Sequence, residues 1–99
     1  MGNTFRTNGG GKTAIAVTSQ PINIAGIACN RLDIQALKSN SGPIVIGDFS
    51  VTSDQANGGI QLYPGEVYLI ELLKDATNIF IVGTAGDAVS YNWYIGDRV

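Results

Sequence analysis

Apolar and polar residues alternate most clearly along residues 31–36, where Leu32, Ile34 and Ala36 share one side of the chain. A period of two predicts a half-buried β-strand, because successive side chains of a strand point to opposite faces. No window of 11 or more residues shows a helical period. Similar short runs, separated by turn residues, are predicted at 13–18, 22–24, 30–38, 44–47, 49–53, 60–63, 66–73, 78–82 and 88–95. This spacing predicts an all-β fold, an antiparallel β-sandwich or jelly roll.

Residues 1–12 differ from the rest because they contain three consecutive glycines, which are costly to order. They are predicted to form an extended N-terminal arm and not a strand, while residues 13–99 form a single β-sandwich domain. We expect the arm to lie on a neighbouring subunit, with docking on its own domain as the alternative. Phe5 and Arg6 are its best anchors, since aromatic residues and arginine are enriched at interfaces. Deleting the arm should leave the domain folded.

Two of the predicted strands, residues 66–73 and 78–82, are apolar on both faces. A sandwich of this size has one internal core, so each sheet gives it only one face. Loops, the N-terminal arm or another subunit must cover the second face. Charged residues make up 14% of the chain, against a typical 25% or so, which favours a subunit contact. The candidate interface residues are Phe5, Arg6, Lys12, Tyr68, Ile70, Phe80 and Tyr94, whereas Tyr91 and Trp93 are expected in the core.

Charge and hydropathy exclude several classes of partner. The net charge is −2 and the six basic residues are scattered, so no basic stripe is available for nucleic acid. No apolar run approaches the 18 or so residues that a membrane helix requires, and no signal peptide is recognisable. A single cysteine allows no internal disulfide and indicates synthesis in the cytoplasm.

Candidate catalytic chemistry is sparse. The chain has no histidine to activate Cys29, which is therefore expected to be a buried packing residue. Gly9-Gly10-Gly11-Lys12-Thr13 is similar to the end of a phosphate-binding loop, but Arg6 stands where the first glycine is required. We expect no catalytic residue, no cofactor and no metal, and hence no enzyme.

The carboxylates show no calcium-loop spacing. Asp48, Asp54 and Asp87 are expected to be solvated residues at turns. A carboxylate pair brought together by folding, as glycoside hydrolysis requires, stays open at this level.

Four stretches together resemble a family of small virion proteins of tailed phages. They read ACNRLDIQAL (28–37), NSGPIVIG (40–47), LYPGE (62–66) and IFIVGTAGDAVSY (79–91). The resemblance covers about residues 13–91 and leaves out the arm and residues 92–99. It implies a β-sandwich structural protein of the particle, of the head decoration (cement) type, that binds the major capsid protein at the capsid surface after synthesis in the bacterial host.

Two further expectations concern assembly and the alternative function. Self-association with closed cyclic symmetry is expected, and a trimer would fit three-fold positions on a shell. The alternative is a ligand- or carbohydrate-binding β-sandwich module of a phage tail or tail fibre. Exposed Tyr63, Tyr68 or Trp93 would then form a platform on which sugars stack.

Overall fold

The computed structural model describes residues 4–71 and 75–97. These residues form eight strands and no helix. The strands are β1 (Thr4–Ala14), β2 (Ile22–Asn23), β3 (Arg31–Ala36), β4 (Ile44–Gly47), β5 (Ile60–Leu62), β6 (Val67–Glu71), β7 (Phe80–Val82) and β8 (Ala88–Asp97). The predicted all-β class is therefore confirmed. The end of the predicted strand at 66–73 lies outside the described residues.

The strands form two antiparallel four-stranded sheets, in the orders β1-β8-β3-β6 and β2-β7-β4-β5. The first half of the chain pairs with the second half in reverse order: β1 with β8, β2 with β7, β3 with β6 and β4 with β5. A long double ribbon rolled up in this way is the topology of a jelly roll. The free edges are β1 and β6 in the first sheet, and β2 and β5 in the second.

The core lies between the two sheets and follows the alternation seen in the sequence. Leu32, Ile34 and Ala36 of β3 are fully buried, as the period of two predicts. Ile44 and Ile81 face them from the second sheet and are also fully buried. Tyr91 and Trp93 of β8 pack against this cluster, which confirms their predicted place in the core.

The structure corrects the expectation that residues 1–12 are an arm and not a strand. Residues 4–14 form β1, and its pairing with β8 runs without interruption through Lys12 and Thr13. The third strand, β3, reaches along β8 only as far as Tyr94. Residues 4–7 and 95–97 consequently form a two-stranded extension beyond the rest of the sheet. The N-terminal segment is thus extended, but its partner is its own chain.

The three glycines of β1 make this pairing possible. A Cβ atom on Gly9 would lie 2.8 Å from Cζ2 of Trp93, and one on Gly11 would lie 2.6 Å from the Tyr91 hydroxyl oxygen. The two aromatic side chains therefore lie across a strand that has no side chains there. Covering edge glycines with aromatic rings from the neighbouring strand is a known way to stabilise a sheet. The glycine run is a packing feature and belongs to a strand, not to a phosphate-binding loop.

The two strands that are apolar on both faces are covered differently. Val82 and Phe80 lie on the outer face of β7 and pack with Val45 and Val51. Val51 comes from the loop between β4 and β5. A strand was predicted at residues 49–53, but this segment is a loop that folds back over the second sheet. In β6, by contrast, Val67 and Leu69 remain about half exposed. The loop between β4 and β5 thus covers the outer face of β7, whereas the outer face of β6 stays exposed.

Candidate functional site

Large apolar side chains that remain exposed are concentrated between residues 49 and 69. Within the described part of the chain they are Phe49 (75% exposed), Ile60, Tyr63, Val67 and Leu69, with Val17 as the one outside this range. Residues 49–69 contain the edge strand β5, the first three residues of the edge strand β6, and the loops next to them. Single exposed apolar residues are ordinary, but a concentration along two sheet edges is typical of an interaction surface. We call residues 49–69 the exposed apolar segment.

A cleft of about 420 Å³ opens between the two sheets beside this segment. It is lined by Ile46, Gly47, Asp48, Gly59, Ile60, Tyr68, Ile70, Asn78 and Ile79. The lining is mainly apolar, with one carboxylate and one amide among it. The two sheets are therefore incompletely closed over each other where β5 and β6 form the edges.

Phe49 projects from a turn that is held at both ends. Asp48 Oδ1 accepts hydrogen bonds from Ser50 N at 2.8 Å and from Ser50 Oγ at 2.6 Å. Val51 N donates to the Asp48 carbonyl at 3.0 Å, and the Val51 side chain is buried against the second sheet. An aspartate that bonds the backbone two residues ahead offers an alternative to strand pairing, which explains why residues 49–53 do not extend β4. The turn fixes Phe49 in an exposed position.

The rest of this loop is organised by a second aspartate. Asp54 Oδ1 accepts hydrogen bonds from Thr52 Oγ1 at 2.7 Å and from Ala56 N at 2.9 Å. These bonds lower the pKa of Asp54, and the bonds from the Ser50 side chain and backbone lower the pKa of Asp48. Both carboxylates are exposed turn residues, as predicted.

Asp87 differs from the other two and corrects the prediction of a solvated turn residue. It is only 7% exposed. Its carboxylate accepts hydrogen bonds from Ser41 N and Ser41 Oγ, each at 2.9 Å, and from Gly42 N at 3.3 Å. The backbone bond from Ser41 is the main reason that the pKa of Asp87 is lowered; burial works in the opposite direction. Asp87 ties the β3–β4 turn to the start of β8.

The predicted interface residues do not come together in one place. Tyr68 and Ile70 are half-buried on the inner face of β6 and line the cleft. Phe80 lies on the outer face of the second sheet, against Val45, Val51 and Val82. Tyr94 lies on the outer face of the first sheet, where the guanidinium of Arg31 stands 5.4 Å from the centre of its ring.

The remaining predicted residues belong to β1. Lys12 is exposed opposite Ser90. Phe5 lies opposite Gly96, and the register shifts between Phe5 and Thr7, at Arg6. The backbone of Phe5 and Arg6 forms part of the two-stranded extension, so these two residues are candidates for contact with a partner through that extension.

Aromatic residues do not form the predicted stacking platform. Tyr68 and Trp93 are half-buried and packed against the core, and Tyr63 is exposed at the turn that follows β5. Tyr63 also begins the turn with Pro64, and Gly65 takes a φ of 90° that favours glycine. One exposed tyrosine offers a single ring for stacking.

Cys29 is buried, as predicted, and burial followed by the charge of Asp75 raises the pKa of its thiol. No group of three or more His, Cys, Asp or Glu side chains that could hold a metal ion occurs among the described residues. Nor does this part of the chain contain a helix long and apolar enough to cross a membrane.

Sequence reasoning missed Phe49 and Leu69 as surface residues. Phe49 was assigned to a strand, although the Asp48-Phe49-Ser50 sequence carries the signal of an aspartate-stabilised turn. For Leu69 the apolar character of both strand faces was recognised, but nothing local distinguishes an edge strand from a central one. That distinction depends on the order of strands in the sheet.

Comparisons with known proteins give a similarity of fold alone. No family model and no curated protein sequence matches the chain. Among solved structures, the chain is similar to a de novo designed double-stranded β-helix, with a TM-score of 0.46 and 15% identity over 92% of this chain and 99% of that one. It is also similar to a protein of Bacillus endospore appendages, which form disulfide-linked pili, with a TM-score of 0.45 and 14% identity over 90% of this chain and 88% of that one. Neither similarity bears on function.

Proposed function

We propose that this chain is a head decoration (cement) protein of a tailed phage, which stabilises the capsid by bridging major capsid subunits at the outer surface. The resemblance of residues 13–91 to small virion proteins points to the particle. The jelly roll by itself supports many functions, so the argument for a binding role comes from the surface. The observation that carries it is Phe49, 75% exposed on a turn that the fold holds in place.

A fixed aromatic side chain is well suited to anchor a protein contact. Aromatic residues are enriched at interface cores, and those that fill a pocket of the partner contribute much of the binding energy. The hydrogen bonds within the turn and the buried Val51 order Phe49 before binding. Less conformational entropy is then lost when the complex forms. Ile60, at the start of β5, and Tyr63, directly after β5, are further exposed apolar residues of the same segment.

Stabilisation of a shell requires only that the protein bind the assembled form and not the free subunit. Binding then shifts the equilibrium toward the assembled shell by mass action. A shell presents many equivalent sites, so contacts of modest strength at each site add up over the whole particle. A small protein with one ordered aromatic anchor fits this role.

The copy number in purified particles tests the proposal directly. Quantitative mass spectrometry against the major capsid protein should give a ratio near one or a fixed simple fraction of one. A handful of copies would place the protein in the tail and favour the ligand-binding alternative. Absence from the particle would refute both virion functions.

A matched pair of variants tests the role of Phe49. Phe49→Ala should weaken binding to shells that lack the protein by about tenfold or more, because truncation of an interface anchor costs about 2 kcal/mol. Val17→Ala is the control, since Val17 is also exposed but lies outside the exposed apolar segment. Circular dichroism and thermal unfolding should show that both variants are folded. Equal affinities of the two variants would show that Phe49 does not contribute to binding of the shell.

A further inference from the structure

The edge of the first sheet at β6 lacks the features that normally protect an edge strand. Free edges carry unpaired backbone groups that can pair with another chain, and proteins protect them with short strands, bulges and charged side chains. β2 and β5 have only two and three residues. β1 carries a register shift and Lys12. β6 has five residues, pairs with β3 in continuous register, and shows exposed Val67 and Leu69.

We propose that β6 is the site at which two copies of this chain pair, as antiparallel strands about a two-fold axis through Leu69. The partner is a second copy because the strand is complementary to itself in this register. Leu69 lies opposite Leu69 of the partner subunit, Val67 opposite Glu71, and Tyr68 opposite Ile70. Pairs of aromatic and β-branched residues opposite each other stabilise antiparallel sheets. The first sheets of the two copies then join into one sheet of eight strands.

The direction of the backbone groups and the number of them that pair favour this axis. Ala36 N donates to the Glu66 carbonyl at 3.0 Å, and hydrogen-bonded residues alternate along an antiparallel pair. Tyr68 and Ile70 therefore direct their N–H and C=O groups toward β3, whereas Leu69 and the residues two positions away direct theirs to the free edge. An axis through Leu69 places outward-directed groups opposite one another at residues 67, 69 and 71, which are all the outward-directed positions of β6. An axis through Tyr68 or Ile70 would also pair outward-directed groups, but at only two of these three positions.

Charges at the ends of the strand complement each other in the same register. The Lys38 side chain lies over the turn before β6, with its Cγ 3.5 Å from the place where a Cβ on Gly65 would stand. Glu71 is exposed at the other end of the strand. In the dimer, Glu71 of one copy is a diagonal neighbour of the partner's Gly65, about 7–8 Å away and within reach of a long side chain. Each end of the paired strands then brings Glu71 to the partner's Lys38.

Sedimentation of the purified chain tests this pairing. The unaltered chain should form a dimer, and Leu69→Lys should raise the dimer Kd by about tenfold or more, because it places two like charges opposite each other. Val17→Lys is the matched control, since Val17 and Leu69 are 53% and 52% exposed. It should leave the dimer unchanged. A monomer at every concentration, a trimer, or equal effects of the two variants would overturn the inference.

Charge exchange tests the register independently of the fold. Lys38→Glu and Glu71→Lys should each weaken the dimer, and the double variant should restore it. If both single variants weaken the dimer and the double variant does not restore it, the Lys38–Glu71 contact and this register are excluded.

Disulfide trapping locates the axis. Opposite residues of a hydrogen-bonded pair have Cα atoms about 5.5 Å apart, within the range of a disulfide, so Leu69→Cys should form a covalent dimer under mild oxidation. Val67→Cys should not, because its two copies lie four residues apart along the paired strands, or about 13 Å. Cross-linking through position 67 in preference to 69 would overturn the proposed axis. All of these measurements use the isolated chain, so their outcome is independent of attachment to a capsid.

Discussion

Individual residues in this protein are constrained by partners far away in the sequence. Gly9 and Gly11 lie beneath Trp93 and Tyr91, and a Cβ atom at either position would overlap with an aromatic ring. The requirement for glycine here comes from space and not from backbone conformation. Around Gly26, by contrast, a Cβ would meet nothing within 4 Å.

Substitution of these glycines should therefore have unequal effects. Gly9→Ala and Gly11→Ala should each lower the free energy of unfolding by about 1–3 kcal/mol, since overpacking displaces the rings from the core. Gly26→Ala should be nearly neutral. Urea unfolding followed by the fluorescence of Trp93, the only tryptophan, measures all three. A loss of stability at Gly26 equal to that at Gly9 would contradict the packing explanation.

Asp87 gives the stability a dependence on acid pH. Hydrogen bonds from Ser41 and Gly42 lower its pKa in the folded state, so its contribution is complete above the unfolded-state pKa of about 3.9. That contribution is lost as the pH falls through the lower, folded-state pKa. Asp87→Asn should cost about 1–3 kcal/mol at neutral pH and reduce the loss of stability toward low pH. Asp54 also accepts hydrogen bonds that lower its pKa, but at an exposed turn, so Asp54→Asn should change the pH profile less. An equal change in both pH profiles would contradict the role of Asp87.

At the scale of elements, β1 is an integral part of the first sheet. Removal of residues 1–12 should destabilise the domain by about 2–4 kcal/mol, because Tyr91 and Trp93 lose the strand that covers them. The sequence alone predicted only that the domain stays folded without residues 1–12, whereas the pairing of β1 with β8 predicts this loss of stability. Trp93 emission should shift to longer wavelength in the shortened chain. Removal of residues 1–3 alone, which precede β1, is the control, and equal stability of both shortened chains would contradict the prediction.

The loop between β4 and β5 shows how an element can be misjudged from local sequence. Residues 49–53 have a strand-like composition, but the hydrogen bonds from Ser50 to Asp48 turn the chain away from β4. Val51 then covers Val45 and Val82 on the outer face of the second sheet. The second apolar face of β7 is thus buried within the chain, which leaves β6 as the described strand with an open apolar face.

At the scale of the whole molecule, pairing through β6 makes stability depend on concentration. Association that requires the folded state stabilises it by mass action. The thermal midpoint of the unaltered chain should therefore rise with protein concentration, and that of Leu69→Lys should remain constant. Differential scanning fluorimetry over a dilution series measures both. A constant midpoint for the unaltered chain would argue against a dimer of folded subunits.

The sequence by itself determined the fold class, most of the strands and the buried face of β3, because a period of two and turn residues such as Pro64-Gly65 act within a few residues. It also predicted that Cys29, Tyr91 and Trp93 are packing residues. Tertiary structure decided which strands are edges, which apolar face a loop covers, and that Asp87 is buried. These features depend on contacts between distant parts of the chain. Ser41 and Asp87 are 46 positions apart, and β1 pairs with β8, the first described strand with the last. Local patterns carry no information on such pairing, so the candidate surface at Phe49 and Leu69 emerged only from the folded chain.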